Sequence, residues 1–407
     1  MPERFAPCHL SSATRYLIFV ICYFLFESVM AIYVDVSAAV NGRAGLGRYA
    51  ESLARALAVR EPGRLALFYN SGGGAHCPLS GLEDVPYRRV RAGYKPWRMA
   101  VWLGSLAGMG FDRLLPDAEL YHATEHLLLP LRRVPTVLTV HDLIFRLFPE
   151  HHKRLNFWYL NATMPLYCRR AGAIITVSEA TKRDLARLYG VPEARITVVH
   201  EAAASHFTPP TQQHIARVRD RYCLPERYML RVGTIEPRKN LERLLDALLQ
   251  LQRMEPCARL VIVGSKGWLT EGFFQRLQAL GLEKSVQLTG RVPDADLPAV
   301  YGAAMLLVEP SLYEGFGLPL LEAMACGTPV VCSNTSSLPE VGGDAARYFD
   351  PHDSQAIAAA VHEVWRNDDL RDAMRQVGLA HAARFSWERA ATETTAVYQR
   401  VMAKCDA

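Results

Sequence analysis

None of the nine cysteines in this 407-residue chain pairs as C-x-x-C. An odd, scattered set excludes a disulfide framework and a zinc ribbon, and it fits a reducing compartment. No recognisable nucleic-acid module is present, so the surplus of five positive charges is not a nucleic-acid footprint by itself. The apolar run Tyr16 to Phe26 falls short of the ~20 residues that a spanning helix needs. It also lacks a small-x-small cleavage site, although Arg4 and Arg15 precede it. Acidic residues are missing altogether from Val85 to Phe111.

Half of the residues are hydrophobic and 21% are charged, which is the balance of a soluble α/β protein. The length suits two domains of ordinary size. Strand-like and helix-like segments alternate twice along the chain, predicting two parallel sheets. Phe207-Thr-Pro-Pro210 interrupts the alternation and marks the boundary. The expected division is 30–207, 208–385 and a terminal helix within 386–407. Residues 1–29 do not fit this scheme. Met30-Ala-Ile-Tyr-Val-Asp-Val already reads as a first strand, so Met30 is taken as the start of the folded chain. A membrane-anchoring tail is the other reading of residues 1–29.

The most informative stretch is Glu309-Pro-Ser-Leu-Tyr-Glu-Gly-Phe-Gly-Leu-Pro-Leu-Leu-Glu-Ala-Met-Ala-Cys-Gly-Thr-Pro-Val-Val331. The apolar run before it reads as a buried strand. Pro319 then opens a helix, and Gly327 closes it. The amides of Phe316, Gly317 and Leu318 would point out of the helix start, a natural anion site. Gly315 and Gly317 would let backbone approach a ligand. Glu314 in the loop and Glu322 in the first helical turn would face the same ligand and accept hydrogen bonds from vicinal hydroxyls. The alternative for Glu322 is a helix-start acid favoured by the dipole.

Two glutamates separated by seven residues in this setting resemble the signature of retaining family 4 glycosyltransferases. The resemblance extends over most of residues 31–400. It implies a GT-B fold: two Rossmann-like domains with parallel sheets facing each other across a cleft. It also implies that Glu322 holds the nucleotide ribose and Glu314 the donor sugar. The first domain would take the acceptor, and the second a nucleotide-diphosphate sugar.

Other segments acquire expectations from the same resemblance. In Ile235-Glu-Pro-Arg-Lys-Asn240, Arg238 and Lys239 would lie on the donor diphosphate. Two cations there would replace a divalent metal. Asp294-Ala-Asp296 follows Pro293 at a helix start rather than a strand end, so no metal or other cofactor is expected. Gly233 and Gly264 end two strands beside the donor, and the turn at Arg291 and Val292 would read the base through its backbone. Thr136-Val-Leu-Thr-Val-His-Asp142 places His141 at a strand end, where it would contact a sugar hydroxyl.

Gly42-Arg-Ala-Gly45-Leu-Gly47 reads as a loop before the helix Tyr49–Arg60. Either it is a tight turn, or Gly45, Leu46 and Gly47 contact the donor diphosphate or the acceptor, joined by Arg48.

The acid-free stretch holds Arg88, Arg89, Arg91, Lys95 and Arg98 among Tyr87, Tyr94, Trp97 and Trp102. Residues 87–102 are a candidate for an anionic membrane surface, with a solvated strand-and-helix face as the plain alternative.

The resemblance therefore implies a metal-independent, retaining hexosyltransferase. Its catalytic set would be Arg238, Lys239, Glu314 and His141. Mannose from GDP-mannose is the favoured donor, and a glycan or lipid-linked acceptor of bacterial surface polysaccharide the favoured partner. The expected location is cytoplasmic, on the inner face of the plasma membrane. A nucleotide-sugar epimerase of the same fold and a non-catalytic nucleotide-sugar-binding protein are the competing readings.

Overall fold

The computed structural model describes residues 31–72, 79–151 and 153–404. The hydrophobic run Tyr16 to Phe26 and the rest of residues 1–29 lie outside the described residues.

Seven parallel strands form the first sheet: β1 (Ala31–Asp35), β2 (Leu65–Asn70), β3 (Tyr87–Val90), β4 (Ala118–Ala123), β5 (Thr136–Val140), β6 (Ala173–Thr176) and β7 (Ile196–Val198). Their spatial order is β3-β2-β1-β4-β5-β6-β7. Six more parallel strands form the second: β8 (Met229–Val232), β9 (Leu260–Val263), β10 (Val286–Gly290), β11 (Leu306–Glu309), β12 (Val330–Ser333) and β13 (Ala346–Phe349). Their order is β10-β9-β8-β11-β12-β13. Helices cover both faces of each sheet, so runs such as Leu65–Asn70 and Leu306–Glu309 are buried along their whole length.

Each order reverses direction once, between β1 and β4 in the first sheet and between β8 and β11 in the second. Loops diverge to opposite sides at such a switch and leave a crevice beyond the strand ends. The two crevices face each other. Ser178, the cap of the helix Glu179–Tyr189, donates its Oγ to the Gly315 carbonyl at 2.6 Å. Tyr313 Oη donates to Asp184 at 2.5 Å, and Glu340 accepts from the Glu179 amide at 2.9 Å and from His200 at 2.6 Å.

The chain crosses between domains twice. The helix Gln212–Tyr222 packs on the helix Leu297–Gly302 of the second domain. The final helix, Trp387–Ala403, returns to the helix Ala44–Arg60 of the first domain. Trp387 meets Tyr49 at 5.9 Å, and Tyr398 Oη bonds His122 at 2.7 Å.

Two local expectations are corrected. Gly45, Leu46 and Gly47 do not form a loop: the helix begins at Ala44, and Gly42, at φ +65°, makes the turn before it. Gly47 is needed for packing, because a Cβ there would stand 3.1 Å from the Ala38 carbonyl oxygen. Glu322 is the fifth residue of the helix Leu318–Ala325, one turn deeper than the first-turn position expected of it.

Candidate active site

The site is built on the loops after β8 and β11. After β8, Gly233 and Gly264 lie back to back where β8 and β9 end, with the Gly233 amide on Val263 and the Gly264 amide on Gly290. Gly264 has φ +151°, and a Cβ on it would overlap the Gly233 carbonyl, so neither strand can end this way with a larger residue. A short 3₁₀ turn, Pro237–Lys239, then carries Arg238 and Lys239 outward. Asn240 fixes it from below, donating its amide to Pro310 at 3.0 Å and Pro351 at 2.7 Å.

Glu314, in the loop after β11, sits between these two cations. Its Oε2 lies 3.0 Å from Arg238, and its Oε1 accepts from Lys239 and, at 2.7 Å, from Ser311. Arg238 also bonds Glu236 at 2.6 Å and the Tyr313 carbonyl at 2.5 Å. Burial alone would push the Glu314 carboxyl up, but Arg238 and Lys239 outweigh it and hold the group well below the usual carboxylate range. Burial and the Arg238 charge lower the Lys239 ammonium. The carboxylate therefore stays ionised.

Phe316, Gly317 and Leu318 stand at the start of the helix Leu318–Ala325, where the first amides have no intrahelical partner. They follow Glu314, which Arg238 and Lys239 hold, by two to four residues. Gly315 serves a different purpose from the one expected: a Cβ on it would collide with the His141 carbonyl oxygen of the first domain. Its small size admits the facing domain.

Glu322 forms a separate cluster. Arg48 reaches from the first domain to its Oε1 at 2.6 Å, and Tyr301 donates to its Oε2 at 2.7 Å. Burial raises the Glu322 carboxyl although Arg48 opposes it. Arg48 also bonds Asp294 at 2.6 Å. Arg291 is exposed, and Val292 is buried.

His141 lies at the end of β5 against the Glu314 loop. Both ring nitrogens are engaged, Nε2 with the Thr124 carbonyl at 2.9 Å and Nδ1 with Glu201 at 3.3 Å. Burial would lower it, but Glu201 and the Thr124 carbonyl raise it. Asp142 caps its own loop by accepting from the Ile144 amide at 3.0 Å.

Several partners escaped the sequence reading: Glu201, Tyr301, Ser311 and the fully buried Arg231, which lies 3.3 Å from Glu309. A signal existed for the last pair, since each is a charge inside an apolar strand run. Among the described residues no three or more His, Cys, Asp or Glu side chains gather as a metal site.

Residues 87–102 divide between strand β3 and the helix Tyr94–Leu106. Trp97 is buried and Trp102 half-buried, so these two rings pack inward rather than forming the expected outward aromatic face. Arg88, Arg91 and Lys95 are exposed, as are Met99, Leu103 and Leu106 on the helix. No helix among the described residues is long and apolar enough to cross a membrane.

The sequence matches the family described as Glycosyltransferase Family 4 over residues 43–203, and that described as Glycosyl transferases group 1 over residues 223–380. It is 35% identical to the O-antigen chain mannosyltransferase B of Escherichia coli, covering 87% of this chain and 96% of that protein. It is 29% identical to a D-inositol 3-phosphate glycosyltransferase of Corynebacterium jeikeium, covering 78% of this chain and 80% of that one. Among solved structures, Anabaena HepE in complex with UDP-glucose superposes with a TM-score of 0.68 at 20% identity, covering 93% of this chain and 99% of that one. Two facing parallel-sheet domains, with a glutamate clasped by an Arg-Lys pair between them, belong to a chain of this ancestry: it is a glycosyltransferase of the family 4, group 1 type, with the GT-B fold.

Proposed function

We propose that the protein transfers mannose from GDP-mannose, with retention and without a metal, onto a glycan or lipid-linked acceptor of a bacterial surface polysaccharide. The observation that carries this reading is the clasp of Glu314 by Arg238 and Lys239 beside the amides of 316–318. Two cations and a helix start can neutralise a departing diphosphate, which is where negative charge grows during transfer. Glu314 is then placed for the donor sugar and Glu322 for the ribose. His141 supports the sugar side, with the turn at Arg291 and Val292 beside the base. Similarity to the E. coli O-antigen mannosyltransferase over nearly its whole length favours mannose and the polysaccharide setting. The complex of HepE with UDP-glucose supports a nucleotide-diphosphate donor of this general kind.

Retention through a covalent intermediate needs a nucleophile on the opposite face of the sugar. The donor clasp offers carboxylates already committed to cations, so we assign attack by the acceptor on the leaving-group face, with the phosphate taking its proton. The exposed Arg88, Arg91 and Lys95 beside Met99, Leu103 and Leu106 support docking on the anionic inner face of the plasma membrane.

The test is transfer of labelled mannose from GDP-mannose to a mannose-containing acceptor in the presence of a chelator, with the product anomer read by NMR. An α-linked product without metal is expected. A β-linked product, or a strict need for a divalent ion, would overturn the mechanism.

A further inference from the structure

A charged pair lies inside the second sheet, beneath the Glu314 clasp. Arg231 on β8 and Glu309 at the end of β11 stand on neighbouring strands and are almost wholly buried. Arg231 Nη2 is 3.3 Å from Glu309 Oε1. The guanidinium nitrogens make no hydrogen bond among the described residues, so charge alone joins the two side chains. Such a pair is a poor source of stability, because taking both charges out of water offsets most of their attraction. The other residues of the two strands are Met, Leu and Val, and apolar side chains here would avoid that cost. The pair therefore calls for a role in the site above it.

Its surroundings supply one. A Cβ on Gly233 would stand 2.7 Å from Arg231 Nη1, so the guanidinium lies against the backbone from which the Arg238–Lys239 turn departs. Ser311 continues the row on the other side. Its Oγ is 2.5 Å from Glu309 Oε1 and 2.7 Å from Glu314 Oε1, and the residue is fully buried. The Lys239 ammonium feels all of these charges: burial and Arg238 lower it, Glu314 and Glu309 raise it, and Arg231 lowers it.

A serine hydroxyl has one proton to donate, and two carboxylates here compete for it. In this arrangement Glu314 is also held by Arg238 and Lys239. When those cations turn to a diphosphate, Glu314 loses donors while it remains buried, which is costly for a carboxylate.

We propose that Arg231, Glu309 and Ser311 are positioning residues for Glu314. Arg231 balances the Glu309 charge, so Glu309 can give up the Ser311 hydroxyl. The hydroxyl then turns about its Cβ–Oγ bond and donates to Glu314 as Arg238 and Lys239 engage the diphosphate. Glu314 thereby keeps its place and its charge through the transfer. The inference rests on the reading of the clasp as the donor site and adds the residues that let the clasp open.

The test measures transfer from GDP-mannose by the full chain across pH, beside calorimetric GDP binding. Ser311→Ala is expected to lower kcat by roughly ten- to a hundred-fold, the weight of one hydrogen bond to a charged group, with the GDP Kd unchanged within about two-fold. The acid limb of its kcat profile should move to higher pH, because a carboxylate that loses a donor is easier to protonate. Ser311→Thr keeps the hydroxyl and should restore both. Arg231→Met should repeat the Ser311→Ala pattern, and Arg231→Lys, which keeps the charge, should recover part of the loss. An unchanged kcat in Ser311→Ala, or a lower kcat with the acid limb unmoved, overturns the proposal. So does a wild-type profile in folded Arg231→Met; if that variant does not fold, the Ser311 variants decide alone. Wild-type kcat in Arg238→Ala and Lys239→Ala would instead overturn the reading of the clasp itself.

Discussion

Arg48 and Glu322 sit 274 positions apart in sequence and form a 2.6 Å ion pair across the cleft, from the first domain to the second. The same guanidinium reaches Asp294, so one side chain ties the Ala44–Arg60 helix to two elements of the second domain. Arg48 is about one-third exposed, which limits each contact to roughly 1 kcal/mol through solvent screening. Arg48→Met is expected to shift the nucleotide-free protein toward an open cleft, read as a larger radius of gyration by small-angle scattering. An unchanged radius would show that Ser178, Tyr313 and Glu340 hold the domains together without it.

The Glu314 clasp yields a kinetic prediction. Arg238→Ala and Lys239→Ala should each lower kcat by about 10²–10³-fold, the usual loss when one group that stabilises developing charge is removed. Nucleotide binding should weaken much less. Steady-state kinetics beside calorimetric binding decides it: a large loss of affinity with kcat intact would mean that the pair only anchors the donor.

Gly315 makes a steric prediction. Gly315→Ala would press a methyl group against the His141 carbonyl and hold the domains apart. A misplacement of this size is expected to cost about 100-fold in kcat. The GDP Kd should hardly change, because Arg238 and Lys239 stay where they are. Normal turnover in this variant would show that the two domains need not approach so closely.

Asp35 gives a pH dependence with a definite sign. Burial, helped by the Glu125 charge, pushes its carboxyl up to about 7. The folded state then binds a proton that the unfolded state has already released. Stability from this group is complete below about pH 4 and is lost as pH rises toward 7. The total is on the order of 4 kcal/mol. Asp35→Asn should flatten this part of the profile, so the variant gains on the wild type between pH 4 and 7. Parallel urea midpoints across that range would contradict it.

Membrane docking can be tested on the basic segment formed by β3 and the start of the helix Tyr94–Leu106. Neutralising Arg88, Arg91 and Lys95 together should weaken binding to anionic vesicles by roughly 3 kcal/mol, at about 1 kcal/mol per charge. Leu103→Asp should weaken it further through loss of apolar insertion. Co-sedimentation with phosphatidylglycerol vesicles at two salt concentrations reads both effects, and unchanged sedimentation would assign this surface to solvent.

Much of the fold was legible because apolar strand runs and punctuating glycines and prolines carry it locally. The strand–loop–helix around Glu314 was legible for the same reason: Glu314, Phe316 and Leu318 lie within five residues of one another. The start of the helix Ala44–Arg60 was misjudged because glycines at 45 and 47 cost helix propensity, about 1 kcal/mol each. Packing of Gly47 on Ala38 overrides that cost, and a single sequence does not display it. The partners Arg48–Glu322, Arg43–Glu125 and His141–Glu201 join separate elements or domains, so nothing near either residue announces the other.

The return of the Trp387–Ala403 helix to the first domain has a mechanical consequence. Two strands of polypeptide bridge the domains, one between 199 and 211 and one between 383 and 386, rather than a single tether. Two pivots define a line, so opening becomes rotation like a door on paired hinges, and sliding or twisting is suppressed. The two facing crevices therefore come back into the same register at every closure.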